Sequence, residues 1–162
     1  MLLLAPAVLL LVQSPGVPHA VEVLPGLSVL RGEPDEATFK ALKAAGVTAV
    51  VNLRQDGEGD FTAQAQATAA AGARYDRCPL GREPSAEALD AFRKILRELP
   101  KGSVILLHCA SGNRAAGALY TFLVLDRGLA PDKALALAHE AGLHSPATEA
   151  AVKGYVESRR KP

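Results

Sequence analysis

The sequence has no tryptophan, and its four Phe and three Tyr make up only 4% of the chain. So little ring area excludes a base-stacking nucleic-acid surface and leaves the core to Ala, Leu and Val. An excess of one charge is missing too. Against 17 Asp+Glu stand 18 Lys+Arg, a formal net charge of +1, which excludes nucleic-acid binding by bulk positive field. Two cysteines in 162 residues exclude a disulfide-stapled miniprotein. No unbroken apolar run reaches the roughly 20 residues of a membrane span; residues 2–12 supply eleven, with Pro6 among them. What is present is ordinary: 49% hydrophobic and 22% charged residues describe a globular chain, not a disordered tail or a collagen-like rod. The length fits one domain with a sizeable core.

Residues 1–20 carry no Lys, Arg, Asp or Glu. Their apolar run matches the central region of an export signal, and the small residues from Ser14 to Ala20 offer a cleavage site. The expectation is a cleaved signal over residues 1–20 and one folded domain over 21–162. That domain would work in the periplasm or outside the cell, with no stable membrane insertion after cleavage. The positive residue usual at the start of such signals is absent. An uncleaved membrane anchor, or a cytoplasmic protein with a misassigned start, are the alternatives.

Beyond residue 20, β-rich runs alternate with helical stretches. Residues 29–31 form a short strand candidate. Asp35 can cap a helix over 36–45 that Gly46 ends. Residues 47–53 (VTAVVNL) read as a buried strand, and Asp56-Gly57-Glu58-Gly59-Asp60 as a turn. Residues 61–71 form an Ala-rich helix and 75–80 a weaker strand. Ser85 caps an amphipathic helix whose Leu89, Phe92, Leu96 and Leu99 share one stripe. Residues 103–108 (SVILLH) are the strongest strand, and residues 115–125, without a charge, a buried helix. Pro131 and Ser145-Pro146 open two more. Strands alternating with helices predict a single three-layer α/β domain: a mostly parallel sheet flanked by helices.

One stretch carries chemistry. Cys109-Ala110-Ser111-Gly112-Asn113-Arg114 joins the strongest strand to the uncharged helix, at the carboxyl edge where such sheets bind ligands. A short loop entering a helix turns backbone N–H groups inward as an anion cup. Ala110, Ser111, Gly112 and Asn113 supply that cup, Gly112 lets it curl, and Arg114 adds a planar fork for an oxyanion. The same field favours a thiolate: free Cys titrates near ~8.5, and helix N-termini with nearby cations lower it to roughly 3.5–7.5. Cys109 is therefore the candidate nucleophile. His108 either tunes it through hydrogen bonds to the loop or is a hydrogen-bonded core residue at a strand end. The plain alternative for Cys109 is a buried structural thiol.

The stretch from His108 to Arg114 resembles the signature loop of cysteine-dependent protein phosphatases. Upstream, Gly32-Glu33-Pro34, Asn52-Leu53-Arg54 and Asp56-Gly57-Glu58 resemble a bacterial branch of them, the phosphatase-like domain also found fused in beta-lactamase-hydrolase-like proteins. The similarity runs over roughly residues 27–142. It implies hydrolysis of a phosphate monoester, of the protein tyrosine or dual-specificity type, on a phosphorylated protein or small phosphate ester. Cys109 would attack phosphorus while Arg114 and the loop amides hold the oxygens. An acid would protonate the leaving oxygen, and water would release the phosphocysteine. The resemblance implies no metal and no cofactor, and places Arg54 on the cup's side as a substrate-binding residue, unless it serves a surface ion pair.

Three departures bear on that reading. Four residues separate Cys109 from Arg114, one fewer than in the common phosphatase loop. Ala115 replaces the hydroxyl residue that usually hydrogen-bonds the sulfur. The stretch from Cys78 to Pro84, where the family carries an Asp acid, has none. Glu83 is the substitute, with Asp76 a poorer candidate. General acid catalysis contributes typically 10²–10⁴-fold. The same six-residue loop also resembles that of rhodanese-type sulfurtransferases, with a persulfide on Cys109. A catalytically silent domain binding phosphate or a partner is the third reading.

Other features lead to blander readings. His139 and His144 stand five apart, about 140° around a helix, and cannot share a zinc ion. The acidic residues from Asp56 to Asp60 lack the ligand spacing of a calcium loop. Cys78 is either a buried apolar residue or a partner that could protect Cys109 as a disulfide. Arg159-Arg160-Lys161 reads as a solvated basic end.

Overall fold

The computed structural model describes residues 16–160. The apolar run at residues 2–12, and the export reading built on it, lie outside those residues. Five strands form one sheet: β1 (Ala20–Leu24), β2 (Leu27–Leu30), β3 (Ala49–Asn52), β4 (Arg74–Arg77) and β5 (Ile105–His108), in the order β1-β2-β5-β3-β4. Only β1 and β2 pair antiparallel; β2, β5, β3 and β4 run parallel. The central strand β5 and its neighbour β3 are buried along their whole length, as a strand covered on both faces must be. Alternation sorts their side chains. Ala49, Val51, Ile105 and Leu107 enter a large core, while Val50 and Leu106 enter a smaller one.

The large core is closed by α3 (Ala86–Glu98), α4 (Asn113–Leu125), α5 (Pro131–Ala141) and α6 (Pro146–Arg160); the smaller by α1 (Glu36–Leu42), with Ala71 at the end of α2 (Thr62–Ala70) packed against it. Sheet and helices thus make the expected three layers. α1 starts at a capping box: Asp35 accepts from the Thr38 N–H at 2.8 Å and Thr38 Oγ1 accepts from the Asp35 N–H at 3.2 Å. Ser85 caps α3, and Leu89, Phe92 and Leu96 are its buried stripe.

Most element boundaries shift by a few residues from the sequence reading, and two differences bear on the fold and the site. β1 gave no signal, because a half-exposed edge strand of five residues has only Val23 fully buried. The folded body also begins ahead of residue 21: Val17 packs on the smaller core, and the His19 carbonyl accepts from the Arg31 N–H at 3.0 Å. The other boundary is α4, which starts at Asn113 rather than Ala115, so Arg114 lies in its first turn.

Candidate active site

β5 delivers Cys109 to the carboxyl edge of the sheet, and the chain must then reverse tightly into α4. Gly112 makes that turn at φ +90°, where its missing Cβ would lie 3.1 Å from the Leu30 carbonyl oxygen and 3.4 Å from that of Ala141. A side chain there would meet rigid backbone in a disfavoured conformation. The turn brings the Gly112 N–H to Cys109 Sγ, 3.2 Å away. Cys109 has no exposed surface and lies beneath its own loop. Ala110, Ser111, Asn113 and Arg114 of that loop line a cavity of about 540 Å³. The first turn of α4 adds N–H groups that no helical carbonyl can take. Ala115 is buried and has no hydroxyl to offer the sulfur.

Arg114 does not face the cavity alone. Glu58, from the short 3₁₀ turn Asp56–Glu58 after β3, also lines it. Its two carboxylate oxygens accept from Arg114 Nη1 at 2.6 Å and Nη2 at 2.7 Å, and Nη1 also donates to the Leu80 carbonyl at 3.0 Å. Three of the guanidinium's five N–H donors are thereby used. The two left are Nε–H and one on Nη2, the side edge that suits two oxygens of a phosphoryl group. The hydrogen bond from Arg114 holds the Glu58 carboxyl down to about 2. Reciprocally, the Arg114 guanidinium is held more firmly protonated, first by Glu58, with a further contribution from Cys109.

The structure redistributes the other candidates. Arg54, 12% exposed, is engaged from two sides: Nη2 donates to the Glu58 carbonyl at 2.6 Å and lies 3.0 Å from the Glu33 carboxylate. It does not line the cavity; it braces the turn that presents Glu58. Asn113 lines the cavity, but its side chain is spent on the wall behind it. Oδ1 accepts from the His144 and Ser145 N–H groups at 3.0 and 2.9 Å, and Nδ2 donates to Thr148 Oγ1 at 2.8 Å. Only its backbone is left for an anion. His108 is fully buried, and neither ring nitrogen reaches a hydrogen-bond partner among the described residues. Burial pushes it down to about 4, and contact with the Cys109 backbone opposes that shift.

Glu83 is exposed and absent from the cavity lining. The carboxylate in that cavity is Glu58, set there because β3 lies directly beside β5 and their ends are in register at Asn52 and His108. Asp76 is paired on its own strand with Arg74 at 2.6 Å. Sequence reasoning passed over Glu58 as part of a solvated turn, although the Asp-Gly-Glu resemblance pointed at it. It passed over His144 once zinc was set aside, yet His144, Ser145 and Pro146 form one wall.

The remaining features are accounted for. Cys78 and Cys109 are both free thiols, and burial raises Cys78 to about 11. Asp56 pairs with Arg77 at 2.7 Å, and Asp60 accepts from the Thr62 N–H at 2.9 Å. No group of three His, Cys, Asp or Glu is placed to hold a metal ion among the described residues, and no helix there is long and apolar enough to cross a membrane. Arg159 is paired with Asp90 at 2.7 Å.

No protein-family model and no curated protein matches this chain by sequence. Solved structures do match. A phosphatase candidate of the DUF442 group from Shewanella putrefaciens CN-32 is 27% identical, with a TM-score of 0.72 over 88% of this chain and 94% of that one. A mutant form of Tk-PTP superposes with a TM-score of 0.75 at 21% identity, over 90% and 99% of the two chains. Human DUSP28 does so with a TM-score of 0.66 at 22% identity, over 88% and 97%. A parallel sheet that ends in Cys109, a loop closed by Arg114 and these superpositions lead to one conclusion: the chain has the cysteine-dependent phosphatase fold.

Proposed function

We propose that this chain is a cysteine-dependent phosphomonoesterase of the branch that its Gly32-Glu33-Pro34 and Asp56-Gly57-Glu58 motifs resemble. The observation that carries the reading is the pairing of Cys109 Sγ with the Gly112 amide beneath a loop whose Arg114 keeps its Nε–Nη2 edge unspent. The 27% identity to a phosphatase candidate supports it. In the reaction, Cys109 thiolate forms a bond to phosphorus as the bond to the leaving oxygen breaks. Arg114 and the loop amides hold the three remaining oxygens. Water then attacks the phosphocysteine, phosphate leaves, and the thiolate is restored. Because Cys109 has no exposed surface, the phosphoryl group must enter between the side chains above it. The carboxylate in the cavity is Glu58, already ionised against Arg114, so a leaving oxygen of low basicity departs most readily.

The protein should hydrolyse p-nitrophenyl phosphate, and Cys109→Ser should reduce the rate to background. Sulfur transfer from thiosulfate to cyanide without phosphate release would replace this reading with the sulfurtransferase one. Binding of phosphate with neither activity would make the domain a silent binder.

A further inference from the structure

We infer that the substrate is a compact, non-aromatic phosphate ester carrying a second anionic group, which Arg82 receives at the rim of the cavity above Cys109. The inference rests on the phosphatase reading and narrows its substrate class.

The first observation concerns what the walls lack. A site for phosphotyrosine must flank a phenyl ring, and an aromatic side chain is the efficient way to do so. All seven aromatic residues of this chain are placed elsewhere. Phe39 lies on the smaller core, and Phe61 lies under the Arg54 and Arg77 guanidinium groups at 5.3 and 4.4 Å. Tyr75 accepts from Asn52 Nδ2 at 2.9 Å on β4. Phe92, Tyr120, Phe122 and Tyr155 belong to the large core. None lines the cavity, whose side chains are mostly polar.

The second observation concerns what the rim offers. Arg82 lines the cavity, is exposed, and has no ion-pair partner among the described residues. The other charges there, Glu58 and Arg114, neutralise each other at 2.6 Å, so Arg82 sets the sign of the rim. Its main chain is not loose. The Arg82 carbonyl accepts from Thr148 Oγ1 at 2.7 Å, and that hydroxyl accepts from Asn113 Nδ2 at 2.8 Å. The wall of the cup therefore fixes the Arg82 main chain, from which the guanidinium reaches over the rim. On the facing wall, His144 Nδ1 lies 2.8 Å from the Gly142 carbonyl oxygen. A carbonyl only accepts, so Nδ1 is the donor in that bond, and Nε2 of the neutral ring is an acceptor that offers an anion no N–H. A phosphate group bound at Arg114 and a second anion at Arg82 would use the unspent guanidinium donors that these walls present.

Two measurements test this. In Cys109→Ser, which traps ligand without turnover, calorimetry should give a sugar bisphosphate at least about tenfold tighter binding than the matching monophosphate, the worth of one charge-assisted contact. In the active protein the same preference should appear in kcat/KM, with the bisphosphate also favoured over a phosphotyrosine peptide. Arg82→Gln should lower the bisphosphate-to-monophosphate ratio about tenfold, and Arg82→Lys should restore most of it. A ratio near one in the parent protein, a ratio indifferent to Arg82, or a preference for the phosphotyrosine peptide would overturn the inference. Preferential bisphosphate binding with no hydrolysis of any ester, p-nitrophenyl phosphate included, would retain the subsite and overturn the phosphatase reading. Binding of neither sugar phosphate, with p-nitrophenyl phosphate still hydrolysed, would overturn the inference and leave the phosphatase reading standing.

Discussion

A carboxylate bound end-on to a guanidinium does two things at once. It fixes the plane of Arg114, and it leaves one edge, Nε with Nη2, turned to a ligand. Glu58 touches no reacting atom in this arrangement; it is a positioning residue that acts through Arg114. Its carboxyl is held down to about 2 by the hydrogen bond from that arginine. The pairing is therefore complete above the ordinary carboxylate value of 4.5 and is lost only as pH falls through about 2. Glu58→Gln keeps the shape but offers one acceptor oxygen where two were used. It should lower kcat/KM for p-nitrophenyl phosphate by about tenfold or more, the cost of one broken charge-assisted contact. Vanadate should bind more weakly in parallel, while the pH profile keeps its shape because Glu58 supplies no titrating proton. Glu83→Gln should stay within about twofold on the same substrate, as expected of an exposed side chain away from the cavity. A larger loss on poor leaving groups than on p-nitrophenol would instead make Glu83 the acid.

Among elements, α4 and α6 pack against each other across Gly117. A Cβ there would lie 2.9 Å from Thr148 Cγ2. Thr148 cannot turn aside cheaply, because it is fully buried and its hydroxyl joins Asn113 to the Arg82 carbonyl. Gly117→Ala thus sets about 1 kcal/mol of helix propensity against overpacking that costs typically about 1–3 kcal/mol. The balance should be destabilising, with a lower melting temperature and reduced turnover, since the displaced threonine anchors one wall of the cavity. An unchanged or raised melting temperature would mean that α6 shifts freely. The same elements show what the sequence made legible. The stripe on α3, the caps at Asp35 and Ser85, and a cysteine between a strand and a buried helix are local patterns, and the structure carries each of them. β1 was silent because its apolar residues do not alternate with polar ones: four of the five are apolar, yet only Val23 is buried. Glu58 was hidden for a different reason. Its contact with Arg114 spans 56 positions and exists only because β3 is the neighbour of β5. Strand order is a property of the assembled sheet, and a turn rich in Asp and Gly carries no trace of it.

At the scale of the whole molecule, the most exposed liability to pH is the one buried deepest in the sheet. His108 ends β5, on the same face as Leu106 and therefore toward the smaller core. Burial lowers it from 6.5 to about 4, so the folded protein holds it neutral. The unfolded chain binds a proton there near pH 6.5 while the folded one does not. Between those two values unfolding takes up a proton, and stability rises with pH: fully present above about 6.5, lost progressively as pH falls toward 4. Carboxylates act at more acid pH, because Asp35, Glu58 and Asp90 are all lowered below their ordinary values. Denaturant unfolding at pH 7 and at pH 4.5 should therefore show the parent protein losing stability over a window in which those acids stay ionised. His108→Leu should lose distinctly less, whatever the substitution costs at pH 7, because the difference between the two slopes counts only the proton that His108 refuses. Equal slopes would mean that the folded protein protonates His108 as readily as the unfolded chain does, and that the end of β5 is wetter than its burial implies.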